Sequence, residues 1–140
     1  MAIPKKHSND RAPCPEGEEQ ILGQGSWLKL VQTGQWEFVQ RFKTKEAAVI
    51  IALTNDGKLV LVEQYRPAMG KNVIELPAGL IGDELGHQGE APSEAAQREL
   101  LEETGYSAER LEELTHGCIS PGICDEELTF FMAHNLKYEH

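Results

Sequence analysis

Several things are scarce in this sequence, and each scarcity closes off a class of protein. No apolar run approaches the roughly 20 residues that span a bilayer, so a membrane partner is not expected. The first ten residues, MAIPKKHSND, carry charge but no apolar segment, which argues against a secretory signal. Cysteine is limited to Cys14, Cys118 and Cys124. The number is odd and no CxxC spacing occurs, so neither a disulfide framework nor a cysteine-type zinc site is expected. Reduced thiols in a cytoplasmic protein are the expectation. Positive charge is also short: 13 Lys and Arg stand against 23 Asp and Glu, for a net charge of -10 and a pI of about 4.9. Such a surface repels nucleic acid and suits metal cations instead. Internal repeats and low-complexity segments are lacking.

What remains is a chain of 140 residues, 40% of them hydrophobic, the size and composition of one globular domain. Residues 1–19 are polar with three prolines and read as a disordered tail. ILGQGSWLKLVQ and WEFVQRF read as strands around a Thr33-Gly34 turn. AAVIIAL (47–53) is continuously apolar, as in a strand buried on both faces. Asn55-Asp56-Gly57 then predicts a hairpin with KLVLVEQY, over 47–65. RPAMGKN reads as a loop, VIELPAG (73–79) as a short strand and 80–91 as a loop. Pro92 suits a first helical position and Gly105 a C-terminal cap, so a helix is expected over 92–104, with Ala91 as a poor N-cap. Residues 108–114 read as a short helix or turn. HGCIS and LTFFMAHNL read as strands around an SPG turn.

The densest charge lies in RELLEETGY (98–106), where Glu99, Glu102 and Glu103 precede a glycine. Helix positions i, i+3 and i+4 share a face, so these carboxylates crowd one another at about 0.2–0.5 kcal/mol per like-charged pair. They fall at the helix C-terminus, where negative charge also opposes the macrodipole. Either the face is solvated or a cation compensates it.

The stretch from Glu90 onward, E-APSEAAQ-RELLEETGY, matches E-x7-R-E-U-x-E-E-x-G-U, with U apolar. Seven residues separate Glu90 from Arg98, and Leu100 and Tyr106 fill the U positions. In this motif the chain resembles the Nudix hydrolases. GSWLKL, QWEFVQR, EQYRPAMG, VIELPAGLI and SPGICDEEL further resemble, in order, segments of the ADP-ribose and ADP-sugar pyrophosphatase branch. The likeness covers about residues 20–136. Two features depart from the family pattern. Ten residues (80–89) separate Gly79 from Glu90 where the family has five. The chain also stops at His140, before a family loop bearing another catalytic glutamate, and so looks C-terminally truncated.

The resemblance implies an α/β fold, a Nudix α/β/α sandwich around a mixed sheet, preceded by a small N-terminal antiparallel sheet. Its implied organisation is a tail over 1–19, dimerisation strands over 20–46 and a Nudix domain over 47–140, the whole forming a homodimer. The implied activity is metal-dependent hydrolysis of the pyrophosphate bond of ADP-ribose or a related nucleoside diphosphate sugar. A non-catalytic nucleotide-binding module, or an enzyme for another diphosphate such as a dinucleotide, is the alternative.

By the same resemblance Glu99 and Glu103 are direct ligands of Mg²⁺ or Mn²⁺, both hard cations that take oxygen donors. Glu102 is a further ligand or orients the attacking water, and the Ala78 carbonyl is a backbone ligand. Arg98 pairs with Glu90 and holds the ligands in place. Arg66, and with a weaker case Arg41, would contact phosphate. Trp27 and Trp36 would stack on the base across the dimer, with Glu37 accepting from its amino group. Asp83, Glu84 and His87 read as a solvated loop. Cys124 reads as packing, and Glu126 and Glu127 as surface residues.

Overall fold

The apolar run EAAVIIA becomes the interior strand of the main sheet. In the computed structural model, which describes residues 17–83 and 87–139, β4 (Glu46–Ala52) pairs parallel with β9 (Glu127–Tyr138) and antiparallel with β7 (Ala78–Leu80). β8 (Tyr106–Cys118) closes the other side antiparallel to β9, giving a mixed sheet in the order β7-β4-β9-β8. Ahead of it, β1 (Gln20–Gln24), β2 (Leu28–Thr33) and β3 (Trp36–Arg41) form a separate antiparallel sheet. β5 (Val62–Arg66) and β6 (Lys71–Glu75) form a two-stranded ribbon. The mixed sheet and the N-terminal antiparallel sheet are as expected. Most of the anticipated tail, residues 1–16, lies outside the described residues.

One helix, α1 (Pro92–Thr104), stands among the described residues, within the expected bounds, and supplies one helical layer against the sheet. Ala91 has no side chain with which to cap. Glu94 compensates by reaching back to accept the Ala91 N–H at 2.9 Å. At the other end Gly105 adopts φ 75° and donates its N–H to the Leu101 carbonyl.

β4 divides the fold into two environments, because alternate residues of a strand face opposite ways. Ala48, Ile50 and Ala52 face α1 and form a core with Ala95, Ala96, Leu100, Phe131, Ala133 and Leu136. Alanines on both surfaces let the helix lie close to the sheet. Ala47 and Val49 face the opposite way, into an open cavity beside Leu128 and Phe130.

Four local expectations are corrected. Residues 108–114 are not helix or turn but the middle of β8. Their charged side chains line an exposed edge strand, which masks the strand pattern, while pairing with β9 fixes it. The 47–65 hairpin keeps its turn at Asn55-Asp56-Gly57, but only a Leu53–Leu59 bridge and a Val60 N–H bond to the Ala52 carbonyl follow it. β5 then leaves to pair with β6. VIELPAG is two strands broken at Leu76-Pro77, since proline cannot donate to a ladder. ILGQGSWLKLVQ is likewise two strands, β1 and β2, folded at Gly25.

Candidate active site

The last turns of α1 lie over the β7 rim, and the helical spacing of the three glutamates sends two of them there. Glu103 Oε2 accepts the Ala78 N–H at 3.0 Å. Glu99 lies directly over Gly79, so closely that a Cβ on Gly79 would overlap the Glu99 carboxylate. Two carboxylates four residues apart thus converge on one dipeptide. Glu99 is mostly buried, and that burial pushes its carboxyl above the usual range, with Arg98 acting in the opposite direction.

Arg98 holds this end of the helix together. Its Nη2 donates to Glu90 at 2.9 Å and to the Leu80 carbonyl at 3.4 Å, and its Nη1 donates to Glu99 at 2.6 Å and to Glu102 at 3.4 Å. The pairing with Glu90 is as expected. The other three contacts make Arg98 the common neighbour of every acidic group at this end except Glu103. Hydrogen bonding to Glu90 and Glu99 holds the guanidinium proton more firmly than usual. Glu90 is held below the usual carboxylate range by Arg98, helped by the Gly82 N–H at 3.0 Å. That second bond ties the lengthened loop back to the helix. The middle of that loop, residues 84–86, lies outside the described residues.

Beyond the rim lies a cavity of about 600 Å³, floored by the second face of the sheet. Arg41 from β3 and Arg66 from β5 both line it, together with Ala78 and Gly79. The structure therefore brings both arginines, distant in sequence, into one cavity with the Ala78–Gly79 rim on which Glu99 and Glu103 converge. Arg41 Nε donates to Glu126 at 2.7 Å, and Arg66 Nε donates to Glu75 at 2.9 Å. Glu126, read from the sequence as a surface residue, is instead the partner of Arg41, and Glu75 was not singled out there. In the β5–β6 ladder Arg66 faces Lys71 and Glu75 faces Val62, so the Arg66–Glu75 pair runs diagonally along the ribbon and is disclosed by the fold alone, as is Arg41–Glu126.

The tryptophans are not brought together within one chain. Trp36 opens β3 opposite Thr33, while Trp27 lies at the far end of the same hairpin, where its carbonyl accepts from Phe42. Both are exposed, at 69% for Trp27 and 59% for Trp36. Trp36 and Glu37 line a second cavity of about 390 Å³ with Cys118, Pro121 and Cys124. Lys43 lies 5.6 Å from the Trp27 ring.

The family model for the NUDIX domain matches residues 43–138. The chain belongs to the Nudix family. Among curated proteins it is similar to the "Methanol dehydrogenase activator" of Bacillus methanolicus, with 41% identity over 76% of this chain and 53% of that protein. It is 39% identical to the ADP-ribose pyrophosphatase of Bacillus subtilis (strain 168), over 65% of this chain and 46% of that one. It is 34% identical to the ADP-sugar pyrophosphatase of Mus musculus, over 75% and 54%. The chain spans about half the length of these relatives. A solved structure described as an ADP compounds hydrolase superposes with a TM-score of 0.72 at 23% identity, covering 87% of this chain and 67% of that one, a likeness of fold.

Nudix hydrolases generally use divalent metal ions, and the residues at this Nudix box fit one. The donors are all hard oxygens: three carboxylates on the last turns of α1 and the carbonyl of Ala78 on the rim that two of them, Glu99 and Glu103, lean over. Gly79 leaves a hollow under Glu99 that any larger residue would fill. In the conformation seen, the carboxylates are drawn to Arg98 and to the Ala78 amide. Among the described residues no three acidic, histidine or cysteine side chains stand gathered as a cluster that could hold an ion. No helix among the described residues is long and apolar enough to cross a membrane.

Proposed function

We propose that this Nudix chain hydrolyses the pyrophosphate bond of ADP-ribose or a related nucleoside diphosphate sugar. One observation carries the reading: Glu99 and Glu103 converge on Ala78–Gly79 at the rim of a cavity that also holds Arg41 and Arg66. Arginine forks suit phosphate oxygens, so the two arginines bind and orient the diphosphate. Glu99, Glu102, Glu103 and the Ala78 carbonyl would hold Mg²⁺ or Mn²⁺. A divalent ion there supplies neutralisation of charge developing on the phosphate oxygens. Arg98 keeps Glu99 and Glu102 in register. Water adds to one phosphorus, the P–O–P bond breaks, and AMP and ribose 5-phosphate leave when ADP-ribose is the substrate.

The exposed N-terminal sheet supports a homodimer. Ile21, Leu28, Leu30 and Trp27 leave apolar surface uncovered in one chain. In a dimer Trp27 of one subunit and Trp36 with Glu37 of the other would hold the base. A cytoplasmic setting accords with three cysteines, two of which, Cys118 and Cys124, are unpaired in the fold. The test is incubation with ADP-ribose and Mg²⁺, following AMP against a metal-free control. Metal-dependent release is expected, and its absence from folded protein would overturn hydrolysis. A panel of nucleotide sugars and dinucleotides fixes the substrate class.

A further inference from the structure

Both cations of the 600 Å³ cavity are met by a carboxylate from a different element. Glu126 precedes β9 and reaches Arg41; Glu75 ends β6 and reaches Arg66. In each case the carboxylate sits on the Nε side of the guanidinium. Arg41 donates through Nε alone, and Arg66 through Nε and Nη2. Among the described residues, both Nη groups of Arg41 and the Nη1 of Arg66 make no hydrogen bond to the protein. A carboxylate on the Nε side fixes the plane of the fork and leaves its terminal donors for another anion. The Arg41–Glu126 pair also joins two sheets. It stands next to backbone bonds in which Val39 donates to the Ile123 carbonyl and Asp125 donates to the Val39 carbonyl. The N-terminal sheet is thereby registered against the loop leading into β9.

We propose that Glu126 and Glu75 are positioning residues that brace Arg41 and Arg66 for the diphosphate. This rests on the assignment of those arginines to phosphate. The competing physical idea is that the carboxylates occupy the arginines at the expense of substrate, and it predicts the opposite sign.

The experiment measures kcat and KM for ADP-ribose with Mg²⁺, and calorimetric binding of ADP without metal. The variants are Glu126→Ala, Glu126→Gln, Glu75→Ala and Glu75→Gln, with Arg41→Ala and Arg66→Ala as references and thermal melts as the check on folding. Each alanine variant is expected to raise KM and weaken ADP about fivefold, with kcat little changed, the scale of one exposed ion pair. Glu126→Gln keeps an oxygen for the Arg41 Nε–H and is expected to stay near the parent; Glu75→Gln keeps one for the Arg66 Nε–H but turns its amide NH2 toward Nη2, and is expected to fall between the parent and Glu75→Ala. Alanine variants that bind as well as the parent or better overturn the proposal. So do glutamine and alanine variants that behave alike, because charge and not bracing would then be at work. If Arg41→Ala and Arg66→Ala leave ADP binding unchanged, the phosphate assignment fails and the brace falls with it. A parent that binds ADP but releases no AMP fails the hydrolysis reading alone, and the ADP series still decides the brace.

Discussion

The unit of α1 with the main sheet and the sheet of β1, β2 and β3 use apolar residues in opposite ways. Around α1, Ile50 and Leu100 are fully buried at 0% exposure. On the N-terminal sheet, Ile21 is 56% exposed and Leu28 44%. One unit closes on itself within a single chain. The other presents a surface that a single chain leaves wet. The difference shows where apolar surface is closed within one chain, between helix and main sheet, and where it is left open, on the N-terminal sheet that the proposed dimer would cover.

The sharpest way to break this contrast is in the unit of α1 with the main sheet. Glu103→Gln should lower turnover about a hundredfold or more while leaving the melting transition in place, as measured by AMP release and circular dichroism. Unchanged turnover would detach the acidic cluster from the chemistry. Leu100→Ala should cost about 2–5 kcal/mol in urea unfolding, because Leu100 fills the fully buried centre between helix and sheet. A loss below about 1 kcal/mol would mean that this core is looser than its burial indicates. Gly79→Ala should push Glu99 off the rim and reduce turnover about tenfold, with a smaller change in stability; a crystal structure of that variant would show the displaced carboxylate.

At the other end of the comparison, Leu30→Glu on β2 should convert the dimer to monomer in sedimentation velocity while leaving the α1 unit folded. A parent that is monomeric at every concentration tested would remove the dimer reading. The smallest effect concerns pH. Glu90 is held below its ordinary range by Arg98, so it contributes stability above the unfolded carboxyl range, near pH 4.5. That contribution is lost as pH falls through its lowered value in the fold. Glu90→Gln should flatten the acid limb of the stability profile, and an unchanged acid limb would show that Arg98 gains little from this partner.

The helix was legible because its signals are local. Pro92, Gly105 and the spacing from Glu90 to Tyr106 all lie within one short window, and the helix bounds followed from them. The glutamates were legible for the same reason, since their spacing fixes a shared face whatever surrounds the helix. β8 was not legible, because Glu109, Arg110, Glu112 and Glu113 look like a solvated segment until β9 pairs with them. Glu126 and Glu75 were missed because a carboxylate becomes a brace only when a distant arginine is folded against it. The departure of β5 from the expected hairpin had a local marker in the RPAMGKN loop, across which β5 and β6 pair, but nothing in KLVLVEQY shows where the first ladder stops.

By itself, then, the sequence determined the helix, its caps, the acidic face and the turn glycines, all set by interactions within a few residues. Only the tertiary structure decided which arginines share a cavity with that face, which carboxylates hold them and which apolar surfaces stay open. Those outcomes depend on strand pairing between segments as far apart as β4 and β9. Such pairing is settled by the free energy of the whole sheet and not by any short stretch of it.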